Sequence, residues 1–322
     1  LEDVSHPVRI DGHEIRASAS IGIVLVRGEY DNTKDLLRDA DIAMYRAKDK
    51  GRGRYKLFHA GLRKEAMRHL SLEAELRRGF QENRFELHYQ PIMDLASGRV
   101  LGLEALLRFR HESRGLLPPK KFLATAEECG LLPELGEWVL RRSCQDITTM
   151  FPPGTPGPVL HVNISGRHFH QHDLPQRVHQ ILFEAGLPPG RLMLEFCELD
   201  LLENPRAATR TLEALSAQGI GLALDDFGSG TTSLAALRLT RLDMLKMDEG
   251  FVTGLSRTGG DRHMVRAIIA LADGLGMALA AEGVEREEER QALIELGCGT
   301  GQGYHLAQPA PLDELKATGI LG

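Results

Sequence analysis

The sequence predicts an α/β fold, a parallel β-sheet with helices outside, either open or closed into a barrel, and three observations carry that prediction. Six short apolar runs recur along the chain: LGLEAL (101–106), VLHVNI (159–164), RLMLEF (191–196), IGLALDD (220–226), LDMLKMD (242–248) and ALAAEG (278–283). Helix-length amphipathic stretches separate most of them, and alternation of strand and helix argues for a parallel sheet. The runs end on polar residues: Glu104, Asn163, Glu195, the pair Asp225 and Asp226, and Glu282, with Lys246 near the end of its own run. In a closed barrel such strand ends converge on one face. Five carboxylates and one amide gathered there would repel one another unless cations lay between them. Hard oxygen ligands of this kind suit Mg²⁺ or Mn²⁺.

Taken in chain order, EIRASASIGIVLV (14–26) alternates and is β-branched, which predicts a strand pair or one long strand. TKDLLRDADIAMYRAKDKG follows as an amphipathic helix, with Leu36, Leu37, Ala40, Met44 and Ala47 on one stripe and Gly51 as its stop. These pieces are too few for a core of their own. Residues 59–82 are charged and helical in period and predict a connecting helix, with a second break near Ser71. From Phe85 onward the strand–helix alternation is nearly continuous, interrupted by the Pro- and Gly-rich surface loop FPPGTPGP (151–158).

Length and composition set the outer limits. With 322 residues and 42% hydrophobic content the chain can bury a large core, enough for one big domain and a smaller piece. No apolar run reaches the roughly 20 residues that cross a bilayer, and the start has no signal-peptide pattern. A cytoplasmic fragment is therefore expected. The four widely spaced cysteines, Cys129, Cys144, Cys197 and Cys298, fit reduced structural thiols. A net charge of −6 gives no basic footprint for a DNA or RNA duplex. It leaves room for a small phosphate ligand, because metals invert the charge of an acidic cleft. The sequence begins at Leu1 in a stretch already dense with structure, so further residues are expected upstream.

The ordered segments YQPI (89–92), EALLR (104–108), VNIS (162–165), LEFCE (194–198), DDFGSG (225–230), LKMD (245–248), AEGVE (281–285) and QGY (302–304) resemble the motif set of EAL domains, which are cyclic di-GMP phosphodiesterases. The resemblance covers about 85–311. SIG (20–22), ADIAMYRAK (40–48) and the following GRGR are similar to the last third of a GGDEF domain, without the GGDEF motif itself. The resemblance implies a TIM-like (β/α)8 barrel of EAL type, preceded by a small α+β GGDEF-like fragment. It divides the chain at 1–58, 59–82 and 83–322.

By that resemblance, Glu104, Asn163, Glu195 and Asp225 bind one Mg²⁺ or Mn²⁺. Asp225 and Asp226 bind a second, with Glu282 close by. A shared aspartate between two ions is what a two-metal phosphodiester site needs. The product implied is linear pGpG. Lys246 would contact the attacking water or the phosphate, and the proton acceptor stays open between a carboxylate such as Glu282 and the lysine. Glu104, Lys246 and Glu282 are the expected catalytic groups. Gln90, Pro91, Leu106, Arg108, Asp248 and Gln302 would hold the nucleotide, and Arg108 suits a phosphate through two parallel hydrogen bonds. Gly228, Ser229 and Gly230 free the loop after the ligands, and Glu198 and Glu285 support it. Ca²⁺ is expected to inhibit, because its bonds are longer and its geometry looser.

The resemblance also implies a homodimer through the EAL domain, and sensory or GGDEF domains upstream that include any membrane anchor. Thr231, Cys197, Leu199 and Glu249 depart from the usual EAL pattern, and none is an expected metal ligand. Some degenerate relatives bind cyclic di-GMP without cutting it. Those have usually lost an acidic ligand, and none is lost here.

Overall fold

The protein was analysed as a computed structural model that describes residues 7–10, 13–15, 18–26, 32–49, 51, 53–229, 237, 242–255 and 259–321. The chain forms two compact units, Leu1–Arg78 and Gly79–Gly322.

In the first unit β1 (Val8–Ile10) pairs antiparallel with β2 (His13–Ile15), while β3 (Ile21–Ile23) pairs parallel with β4 (Tyr55–Leu57). Of the two readings of 14–26, one long strand or a strand pair, the structure has two short strands, β2 and β3, which pair with other segments and not with each other. The parallel partner of β3 comes from a distant segment that local alternation does not reveal. Helix α1 (Thr33–Asp49) packs so closely on β3 that a Cβ at Gly22 would clash with the Ala40 carbonyl and the Met44 backbone nitrogen. Its buried face is Asp39, Ala43 and Ala47, at i, i+4 and i+8, whereas Leu37 of the expected stripe is exposed. Asp39 is offset by Arg63, whose Nε donates to its carboxylate at 3.0 Å. Helix α2 (Ala60–Gln81) is continuous. The break expected at Ser71 does not occur, since its hydroxyl donates outward to Glu75 at 2.9 Å and leaves the helix backbone intact.

The second unit is a closed barrel of eight strands: β5 (Phe85–Asp94), β6 (Val100–His111), β8 (Val159–Asn163), β9 (Leu192–Cys197), β10 (Gly221–Phe227), β11 (Met244–Met247), β12 (Ala278–Ala281) and β13 (Thr300–Gly301). A short strand, β7 (Gly115–Leu117), extends β6. Neighbours from β6 through β13 run parallel, and β5 closes the ring antiparallel to both β6 and β13. The hairpin joining β5 to β6 therefore departs from strict strand–helix alternation. Helices between the later strands include α3 (Leu132–Met150), α4 (Leu174–Ala185), α5 (Glu198–Glu203), α6 (Pro205–Ser216), α7 (Glu249–Gly254), α8 (Gly259–Leu275) and α9 (Glu287–Leu296).

Strand alternation sorts the side chains. Leu103, Leu160, Val162, Leu192, Leu194, Leu222, Leu224, Leu245 and Met247 face outward and are buried among the helices. The inward positions carry the polar residues, with small residues such as Gly102, Gly221, Ala223 and Ala280 beneath them. Those small residues hollow the barrel, so long polar side chains can meet inside it. One hydrogen bond fixes helix to strand from outside: Tyr89 on β5 donates its hydroxyl to Asp146 on α3 at 2.8 Å. No helix among the described residues is long and apolar enough to cross a membrane.

Candidate active site

Register aligns the strand ends. Gln90 is opposite Glu104, Asn163 opposite Glu195, and Asp225 opposite Cys197. At the centre is Lys246, fully buried. Its Nζ lies 2.8 Å from Glu195 Oε2 and Glu282 Oε1, and 3.2 Å from Glu104 Oε2 and Asp225 Oδ1. An ammonium has three N–H bonds, and four carboxylates compete for them. Glu104, Glu195 and Glu282 receive hydrogen bonds, whereas Asp225 Oδ1 is buried without one.

The amides complete the cluster. Asn163 Nδ2 donates to Glu104 Oε1 at 2.7 Å. Gln302 Nε2 donates to Glu104 Oε2 at 2.6 Å and to Glu282 Oε1 at 2.8 Å, so it ties two carboxylates together. His161 Nδ1 lies 2.7 Å from Glu195 Oε1.

Consecutive residues in a strand point to opposite faces, so Asp225 and Asp226 should not share a site. Two backbone features bring them together. The pairing of β10 with β11 shifts register between Leu224 and Phe227, and Asp226 adopts a left-handed φ of 54°. A bulge of this kind re-aims a side chain, and aspartate tolerates the left-handed region better than most residues. As a result Asp225, Asp226 and Glu282 each offer an oxygen within 4.8 Å of the others, a group that could hold a metal ion. Gly228 follows at φ 93°, where a Cβ would meet the Phe251 ring at 2.4 Å. Only glycine fits there without displacing the ring or straining the backbone.

The electrostatics follow from burial and crowding. Burial opposes the charge on Lys246, but Glu104, Glu195, Glu282 and Asp225 outweigh it and hold the ammonium well above its ordinary pKa. Burial pushes Glu195 well above the usual carboxylate range, and pushes Glu282 up to about 8 with help from Asp225 and Glu104. Burial, then Asp225 and Asp248, also raises Asp226. Burial would raise Glu104 too, but Lys246 and the donors on Gln302 and Asn163 carry it below its ordinary value. His161 is driven down to about 3, by burial first and then by Lys246. Fully ionised, the five carboxylates around Lys246 leave the cluster strongly anionic. The excess charge, the oxygen-rich donors and the orphaned Asp225 oxygen all fit hard divalent cations.

The remaining expected residues take varied positions. Gln90 and Leu106 share the inward face with Glu104, and the Gln90 amide donates to the Ala307 carbonyl at 3.3 Å. Arg108 is half-buried on that face, with one N–H on the Leu107 carbonyl at 3.0 Å. Strand alternation turns Pro91 to the face opposite Gln90, so the structure does not bring it to the cluster. Asp248 caps α7 by accepting from the Gly250 N–H at 2.9 Å. Glu198 opens α5, and the Glu285 side chain is exposed. Ser229 donates its N–H to the Asp226 carbonyl at 3.1 Å, closing the turn after the paired aspartates. Gly230 and Thr231 lie outside the described residues. Cys197 caps α5 and Leu199 is exposed on it, while Glu249 begins α7. All four cysteines are free.

A closed eight-stranded barrel with acidic and amide side chains at the carboxyl ends of its strands defines a TIM-like barrel carrying a site suited to hard cations. Comparison with known families sharpens this. The EAL domain model matches residues 73–309, and the model for "Diguanylate cyclase, GGDEF domain" matches residues 1–54. The chain belongs to the EAL domain family. It is 38% identical over 318 residues to the Pseudomonas aeruginosa protein "Bifunctional diguanylate cyclase/cyclic di-GMP phosphodiesterase MucR", across 99% of this chain and 46% of that protein. "Cyclic di-GMP phosphodiesterase NbdA" of the same organism is 36% identical over 316 residues, across 98% of this chain and 40% of that protein. The chain thus spans less than half the length of these two relatives. The solved structure described as "PaMucR Phosphodiesterase, c-di-GMP complex" superposes with a TM-score of 0.73 at 37% identity, covering 76% of this chain and 99% of that one.

Proposed function

We propose that this chain hydrolyses cyclic di-GMP to linear pGpG with two divalent cations, Mg²⁺ or Mn²⁺, lowering the level of that second messenger. The observation that carries the reading is the complete ring of acidic and amide side chains around Lys246, in a barrel that superposes on one solved with cyclic di-GMP. Glu104, Asn163, Glu195 and Asp225 would hold one cation, Asp225 and Asp226 the other, with Glu282 beside them. When bound, the cations supply a water of lowered pKa and neutralise charge developing on phosphorus.

The chain's own groups do the rest. Lys246 holds Glu104, Glu195 and Glu282 in one geometry, so the ligands are arranged in advance and little reorganisation is left for the reaction. Gln302 fixes Glu104 to Glu282. Glu282, whose protonated form burial favours, is the carboxylate best placed to take up and return a proton. Arg108 offers its free N–H groups to a phosphate, and Gln90 and Leu106 line the wall below it. Gly228 and Ser229, with Glu198 and Glu285, would set the turn that follows Asp226.

Residues 1–58 form the GGDEF-like fragment, 59–82 the connecting helix and 83–322 the phosphodiesterase domain. The active form is a homodimer through the EAL domain, acting in the cytoplasm. The test is hydrolysis of cyclic di-GMP, resolved by chromatography, with Mg²⁺ or Mn²⁺ and again with Glu104→Ala. Metal-dependent pGpG that disappears in the variant supports the reading. Tight binding with no linear product would replace it with a receptor role.

A further inference from the structure

Glu195 is fully enclosed, and both of its oxygens are engaged by the protein itself. Oε2 accepts from Lys246 Nζ at 2.8 Å, and Oε1 lies 2.7 Å from Nδ1 of His161, which is itself buried. His161 is in register with Glu104 and two residues before Asn163, so its ring enters the barrel level with Glu104 and beneath Asn163. The room for that ring comes from the neighbouring strand. A Cβ at Gly102 would stand 2.8 Å from His161 Nε2. A histidine and a glycine on adjacent strands are thus matched in shape, beside Glu195 of the acidic cluster.

We propose that His161 is a positioning residue for Glu195: its Nδ1–H holds the carboxylate in the orientation that presents it to a divalent cation, and Gly102 leaves the ring space to do so. The proposal rests on the cation-binding reading above. A carboxylate bound to a cation can only accept, so the imidazole proton sits on Nδ1. A fixed donor behind a ligand orients it and stops it from turning away, and loss of such a partner typically costs about 10–100-fold in metal affinity.

The test is calorimetric titration of the whole chain with Mn²⁺, beside thermal melting in chelator. His161→Leu keeps an apolar body but removes the donor, and is expected to bind Mn²⁺ about 10–100-fold more weakly. His161→Asn places a carboxamide N–H close to the position of Nδ1 and should restore most of the affinity. Gly102→Ala, which pushes the ring aside, should weaken Mn²⁺ binding with His161 still present, and it carries the test if the leucine variant does not fold. Wild-type Mn²⁺ affinity in His161→Leu or in Gly102→Ala would overturn the proposal. So would equal losses in the leucine and asparagine variants, which would mark His161 as packing alone. A wild-type chain that binds no Mn²⁺ at all would instead remove the cation reading, and the proposal with it.

Discussion

Lys246→Met should destabilise the metal-free barrel sharply, and Mn²⁺ should reverse much of the loss. Methionine keeps the unbranched apolar stem and removes only the ammonium, which in the native protein lies 2.8–3.2 Å from four carboxylates. Removing one partner of a buried ion pair costs about 3–5 kcal/mol, because the other charge is left unpaired. For a domain of this size about 2–4 °C of melting temperature accompanies each kcal/mol, so the expected fall in chelator is about 6–20 °C. Cations would replace the missing positive charge, and saturation at about 100 times the dissociation constant returns about 2.7 kcal/mol. The deficit should also shrink at low pH, where the carboxylates protonate and no longer need a counter-charge. The assay is thermal unfolding of wild type and variant in EDTA and in excess Mn²⁺, at neutral and acidic pH. An unchanged melting temperature in EDTA would refute the view that Lys246 neutralises the metal-free cluster.

The metal-free protein should lose stability as pH rises from about 6.5 to 8, above the range in which buried His161, held down to about 3, works in the opposite direction. Glu282 has its pKa raised from 4.5 to about 8 in the folded state, so the folded chain holds a proton there that the unfolded chain releases near 4.5. Its contribution is full below 4.5 and gone above about 8, while Mn²⁺ binding, which displaces that proton, strengthens over the same range; melting curves in EDTA that rise with pH across this window would contradict it. Gly228→Ala forces a Cβ to 2.4 Å from the Phe251 ring at a φ of 93°, so about 1–3 kcal/mol of strain and at least tenfold weaker Mn²⁺ binding are expected, read by denaturant unfolding and calorimetry. Ca²⁺ should bind yet suppress pGpG formation, since its longer bonds spoil ligand spacing set by a rigid barrel; equal rates in Ca²⁺ and Mg²⁺ would count against two closely spaced ions.

How much of this was legible in the sequence depended on whether the cause was local. Glu104, Asn163, Glu195, Asp225 and Glu282 could be picked out because each lies at the end of an apolar run, and parallel register then carries them to one barrel end. The EAL family and the barrel likewise followed from ordered motifs. The direction of β5 did not, because FELHYQPIMD reads as a strand whichever way it runs, and only the short LASGR turn after it hints at a hairpin. The face that Pro91 takes was also not legible: it is turned away from its inward-facing neighbour Gln90, because one residue of displacement in a strand reverses the face. Asp226 could be named because it ends the same run as Asp225, but the reason it reaches the cluster was not local. Simple alternation would send it outward, and the register shift that brings it back belongs to the pairing with β11. His161 left no signal, because one histidine in an apolar run changes no periodicity, and its significance arises only across strands, against Glu195 and Gly102.

The charge of the site ties these features together. Five carboxylates converge around Lys246, and burial and mutual repulsion raise the pKa values of Glu195, Glu282 and Asp226. Protons and Lys246 therefore occupy the electrostatic role that cations would take. When its carboxylates ionise the cluster is strongly anionic, and without cations it would be hostile to a phosphodiester. Without the bulge and the left-handed turn at Asp226, β10 would present one aspartate and the cluster would close on fewer cations. The second ion of the proposed mechanism would therefore depend on a local break in the regularity of β10, beside the close approach of Gly228 to Phe251.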